Sequence, residues 1–341
     1  YKSVITFTEW CNFYIRHKEY EKAKLLYDSV LQERNYLIEA QPEFFYRMYI
    51  NYVLSHRFDL TPVIDCFINK ASDFKDPYIY TLLEMDLNFA TCVFNNPDVM
   101  LANAKSLLNE GLYTKEEYEQ KCLIINMLNL RKSEAEKHAC WNFGIKLEDG
   151  SMYDEMFYVY KGACVKPNPN WNGMKNYQPC DLFDAYKNET WLRNPVDILN
   201  ECKTSQKKEI VVDLWTIYSL EKSRHPEIMA IFDTVYVTHQ TISLALQEIY
   251  NGNDDDIRRA LYHLENESNV KILSPTLNDQ LEIREEGFNY EEVHSACLLA
   301  QKLKVPALVS EFRVLIPKKL QSNVIRPTNL GDIVKCIKKL K

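Results

Sequence analysis

Four carboxylates in the second half of the chain stand where a strand gives way to a loop or a helix begins. Asp213 ends the apolar run Ile210-Val-Val212, Glu311 follows Ala307-Leu-Val309 and Ser310, and Glu291 and Glu292 open a helical stretch. Carboxylates gathered at strand ends offer the all-oxygen ligand set that Mg2+ or Mn2+ takes, and such an ion can activate water against a phosphodiester. Each acid also has a purely structural reading. Asp213 can cap the next helix, Glu311 can be solvated surface, and Glu291 and Glu292 favour a helix N-terminus. A second chemical signal is basic. Residues 301–341 hold ten Lys/Arg against two acids, a balance of +8, while the first 300 hold 31 bases against 46 acids, or −15, within an overall −7. Lys318, Lys319, Arg326, Lys335, Lys338 and Lys339 belong to that basic end. Such clustering is the footprint of phosphate binding and equally of a solvated face.

Other chemistries are argued against. The ten cysteines contain no CxxC pair, and the seven histidines lack paired ligand spacing, so no zinc module fits. Ten cysteines in 341 residues are too sparse for a disulfide scaffold and read as reduced, mostly buried thiols of a cytoplasmic protein. His239 and His294 read as packing or surface residues rather than ligands. Only 8 Gly in the chain argue against glycine-rich phosphate loops and Gly-punctuated all-β folds. No stretch approaches ~18 uncharged apolar residues and the N-terminus has no signal-peptide pattern, so no membrane association is expected.

The elements that must position these groups fall into two styles. Residues 1–165 read as successive helices, with apolar residues at steps of three and four over Pro42–Leu54, Pro62–Ser72, Tyr78–Phe94, Asp98–Glu110, Lys115–Asn129, Ser133–Lys146 and Asp154–Cys164. Pro42, Pro62, Pro77 and Pro97 stand at or near segment starts, where a missing N–H costs least. The stretch Lys166–Pro179 holds three prolines, a glycine and four asparagines and cannot continue a helix, so residues 166–204 read as a linker with a short connecting helix. From residue 205 strands and helices alternate. Strands are expected at Ile210–Val212, Thr234–Thr238, Val270–Leu273, Ala307–Val309 and Val324–Ile325, with helices at Leu214–Glu221, Thr241–Tyr250, from a cap at Asn253 to Asn266, Tyr290–Leu303 and Leu330–Leu340. That alternation implies a parallel, helix-flanked sheet, so the fold class is α + α/β.

Two resemblances sharpen this outline. Phe7, Trp10 and Tyr14, followed by Ala23, Tyr27 and Val30, resemble the two helices of a tetratricopeptide repeat. Ala23 sits where the crossing helices admit only a small side chain; Cys11 replaces the usual glycine, and Asn35 stands where proline often ends the unit. The resemblance implies a helical-repeat (TPR-like) solenoid whose surface takes a protein partner.

Residues 205–341, through "IVVDLWTIYSLEK", "FDTVYVTHQTISLALQEI" and "EEVHSACLLAQKLKVPALVSEF", resemble a PIN domain, the metal-dependent ribonuclease fold. The resemblance assigns Asp213 as its first acid and Glu311 as its late acid, where Asp is usual. Its helix acid falls on Leu244, with Glu248 a turn later, and its remaining acid falls near Glu292 or His294. It implies Mg2+ or Mn2+ held by Asp213, Glu311, Glu292 and Glu248, endoribonuclease chemistry, RNA gripped by the basic end, and a place in bacterial conflict, antiviral defence or RNA surveillance. Leu244 keeps an inactive platform open as the alternative, with the repeats as a scaffold for protein–protein interaction.

Overall fold

The computed structural model describes residues 4–32, 45–50, 61–69, 76–143, 208–222, 224, 226–250, 255–281, 292–309, 320 and 324–325. The expected segment Asp154–Cys164, the linker 166–204, the cap at Asn253 and the helix Leu330–Leu340 lie outside these. The chain divides into two compact units, one of Tyr1–Thr91 with Ala102–Thr114, the other of Cys92–Leu101 with Lys115–Lys341. The described residues are mostly helical, with one small parallel sheet.

In the first unit, α1 (Val4–Arg16) and α2 (Tyr20–Gln32) pack against each other. Ala23 is fully buried, and the Phe7 ring meets the edge of Tyr27 at 5.0 Å. Tyr27 in turn stacks on Tyr49 at 4.7 Å, drawing the helical residues 45–50 against the pair. α3 (Thr61–Asn69) and α4 (Pro77–Thr91) continue the series, with Phe67 stacked on Tyr80 at 4.9 Å. Pro77 and, at the start of α5 (Pro97–Asn109), Pro97 both take the first helical position. Asp76 caps α4 by accepting the Tyr78 N–H at 2.8 Å.

Scarce glycine leaves a mark on the helix ends. After α1, Glu19 N–H donates to the Tyr14 carbonyl at 2.9 Å and Lys18 N–H to Ile15 at 3.0 Å, closing the end with Lys18 at φ 61°. The same pair of bonds closes α5 at Gly111, φ 74°, and α6 (Lys115–Leu128) at Leu130, φ 54°. This is the Schellman cap, whose left-handed residue is normally glycine because a Cβ there crowds the carbonyl.

The second unit contains α6, α7 (Lys132–Phe143) and the sheet. Its strands are β1 (Glu209–Val212), β2 (Thr234–Val237), β3 (Val270–Ile272), β4 (Ala307–Leu308) and β5 (Val324–Ile325). All pair in parallel, in the order β3-β2-β1-β4-β5. Central β1 is an apolar β-branched run buried at Ile210, Val211 and Val212, as a covered parallel strand requires. Crossovers run through α8 (Leu214–Lys222), a 3-10 turn at Pro226–Ile231, α9 (His239–Tyr250), α10 (Asp255–Asn266), the short α11 (Leu277–Leu281) and α12 (Glu292–Leu303). α12 lays Val293, Ala296, Cys297 and Ala300 into one core with Val211, Ala307 and Val309. Because the strands are parallel, their carboxyl ends and the helix starts that follow share one edge. α9 begins two residues earlier than its apolar periodicity indicates, because Thr238 leaves the strand to cap it.

Two substitutions test the cap. Lys18→Gly raises stability by about 0.5–1 kcal/mol, and Gly111→Ala, where an added Cβ meets nothing within 4 Å, lowers it by a similar amount. Urea midpoints read both; equal midpoints for the three proteins would refute the conformational account.

Candidate functional site

At the carboxyl end of β1 the chain turns into α8, and Asp213 is the fully buried residue at the junction. Its Oδ1 accepts the Thr216 N–H at 2.8 Å, which makes it the N-cap of α8. The next amide, Leu214 N–H, donates to Glu292 Oε1 at 2.8 Å. Glu292 is the first residue of α12 and is itself buried. Its Oε1 also accepts the Thr241 hydroxyl, at 2.5 Å, from the first turn of α9. Residues 78 positions apart thus bring Asp213's neighbour and Glu292 into direct contact, and three helices begin around one carboxylate.

Glu248 is also buried but lies seven residues along α9 from Thr241, about 10 Å of axial rise from the end that meets Glu292. Leu244, one turn from Thr241, is buried and apolar, and His294 is buried within α12. Glu291, Ser310, Glu311, Lys318, Lys319, Arg326, Lys335, Lys338 and Lys339 lie outside the described residues. Among the described residues no three His, Cys, Asp or Glu side chains form a metal-holding group. The donor set of Asp213 and Glu292, all carboxylate oxygen, nevertheless has the chemistry that Mg2+ or Mn2+ takes.

Beside this pair lies a buried network without a charged member. His239, the first residue of α9, has Nδ1 2.8 Å from Ser274 Oγ and Nε2 3.2 Å from Asn129 Oδ1. The Asn129 amide nitrogen donates to the Ile125 and Phe94 carbonyls, so its oxygen faces the ring and His239 must carry its proton on Nε2. Ser274 Oγ also accepts the His239 backbone N–H at 3.0 Å and lies 3.1 Å from Gln240 Oε1, so its one hydroxyl proton is shared between the Nδ1 and Gln240 contacts. Asn95 completes the set as a peptide mimic, donating to the Ser274 carbonyl at 2.7 Å and accepting the Ser274 N–H at 2.6 Å. Burial pushes the imidazole down to about 3. The arrangement contains a Ser–His–Asn series, but all its direct hydrogen bonds are inward and its histidine is fully buried, so its work is to hold the segment from Phe94 and the end of α6 onto the sheet's carboxyl edge.

Among the described residues Cys11, Cys92, Cys122 and Cys297 are buried and in no disulfide, and burial pushes the Cys11 thiol up to about 12 and the Cys92 thiol up as well, away from the reactive thiolate. Among the described residues no helix is long and apolar enough to cross a membrane. The chain matches no family model, no curated protein and no solved structure.

The sequence reading missed both Thr241 and the histidine network. The signal for the first was the spacing Thr238-x-x-Thr241, a cap followed by a second hydroxyl at the third helical position.

The neutral histidine sets a pH dependence. Its folded value lies below the ordinary 6.5, so the unfolded chain binds the proton more readily and stability falls as pH drops from about 6.5 toward about 3. The slope from this one group reaches about 1.4 kcal/mol per pH unit. Urea midpoints at pH 7.5 and pH 5 should separate more for the unaltered protein than for His239→Gln; equal separations would remove His239 from that role.

Proposed function

We propose that residues 205–341 form a PIN-like domain that binds RNA and cleaves it as a Mg2+- or Mn2+-dependent endoribonuclease, and that the N-terminal helices form a TPR-like scaffold recruiting a protein partner. The observation that carries the reading is the hydrogen bond from Leu214 N–H, the amide next to Asp213, to Glu292 Oε1 at the carboxyl end of the central strand of an all-parallel sheet. Asp213 and Glu292 supply two carboxylates of the cation site, and Glu311, three residues beyond β4, is the third the reading needs. The ion, when bound, supplies Lewis acidity to the phosphodiester and lowers the pKa of an attacking water. The residues of the chain orient it: the caps of α8 and α9 fix the carboxylates, and Lys318, Lys319, Arg326, Lys335, Lys338 and Lys339 hold phosphates. The setting that this domain pairing fits is a bacterial defence or RNA-surveillance system in the cytoplasm.

A specific observation supports a second reading. Asp213 Oδ1 already caps α8 and Glu292 Oε1 already takes two donors, which is what an inactive platform in a protein-binding scaffold would need.

Asp213→Asn separates them, because an Asn oxygen can keep the Thr216 cap while the charge is lost. Labelled RNA incubated with Mn2+ should be cut by the unaltered chain and roughly a hundredfold more slowly by the variant. Equal cutting removes Asp213 from the site, and retained RNA binding with no cutting by either protein selects the platform.

A further inference from the structure

We propose that Thr241 is the positioning residue of the carboxylate site, holding Glu292 in register with Asp213 through a hydroxyl chain that runs in one direction. The inference rests on the cation-site reading above. Thr241 Oγ1 lies 2.5 Å from Glu292 Oε1 and 3.0 Å from Thr238 Oγ1, and Thr238 Oγ1 accepts the Thr241 N–H at 3.2 Å. A Glu292 that holds a cation is ionised and only accepts, so on that reading the single Thr241 proton goes to Glu292. The Thr238 hydroxyl must then donate to Thr241, which assigns every proton from the end of β2 to the carboxylate. Both threonines are fully buried, so water does not compete for these bonds.

The geometry explains why a hydroxyl is placed there. Leu214 N–H reaches Oε1 from the first turn of α8, and Thr241 reaches the same oxygen from the first turn of α9. Two donors on separate helices anchor the same carboxylate oxygen from two directions. Leu214 adjoins Asp213, so the bond that orients Glu292 also ties it to the other acid. Leu244, one turn along α9, brings no oxygen, so α9 contributes orientation through Thr241 rather than another negative charge.

The test uses the full chain with Mn2+ alone, followed by calorimetric titration and by the electron paramagnetic resonance spectrum of the bound ion. Thr241→Val keeps the shape and removes the donor; it should weaken Mn2+ binding roughly ten- to hundredfold and broaden the spectrum, as loss of an outer ligand-orienting bond does elsewhere. Thr241→Ser, which restores the hydroxyl, should recover both. Equal affinity and spectrum in the unaltered protein and Thr241→Val overturn the positioning role while leaving the cation site standing. No Mn2+ binding by the unaltered protein overturns the cation site and the inference together. Should Thr241→Val fail to fold, Thr238→Val decides instead: a smaller loss of Mn2+ affinity supports the chain, and unchanged affinity refutes it.

Discussion

A carboxylate taken out of water costs several kcal/mol unless donors replace its hydration. Glu292 is such a group, and its replacement donors, the Leu214 amide and the Thr241 hydroxyl, come from two other helices. The demand can be met only if α8, α9 and α12 all begin at one place. A parallel sheet produces that convergence, because every crossover helix starts from the same edge. The strand order, the cap at Asp213 and the early start of α9 therefore belong to one solution, in which the positive ends of three helices surround two buried acids.

The charge balance of this arrangement limits what it can bind. Each helix start counts as about half a positive charge, so three of them against two carboxylates leave roughly −0.5. Counted with both acids ionised, that is little to draw a divalent cation out of water. A third carboxylate changes the balance threefold, to roughly −1.5 on the same count. On the PIN-like reading Glu311 is thus the residue that turns a satisfied structural cluster into a cation site, and Glu248, about 10 Å along its helix, cannot take that part.

Much of this was legible because it is local. The β-branched run Ile210–Val212, the Asp that ends it and the apolar face of α12 are periodic signals within a dozen residues, and they located Asp213 and Glu292. The Schellman ends at Lys18 and Leu130 were hidden by the absence of glycine, since their hydrogen bonds, not their residue type, define them. The network around His239 was not legible at all. Its pairs lie 110 and 179 residues apart, and Asn95, Asn129 and Ser274 each look like an ordinary loop or helix-end residue until the chain is folded. It also explains why residues 92–101 and α6, which read in sequence as more of the helical series, belong to the same compact unit as the sheet.

The opposed charges of the chain complete the division of labour. Residues 1–165, the helical series, hold 18 Lys/Arg against 24 Asp/Glu, a balance of −6, and residues 166–300 hold 13 against 22, a further −9, so acidic charge is spread over everything that precedes the basic end and not over the helices alone. The +8 of residues 301–341 acts over about 10 Å at moderate salt, a range that confines its attraction to its own neighbourhood. On the RNA-binding reading, a phosphate backbone is therefore drawn to the basic end rather than to the rest of the chain.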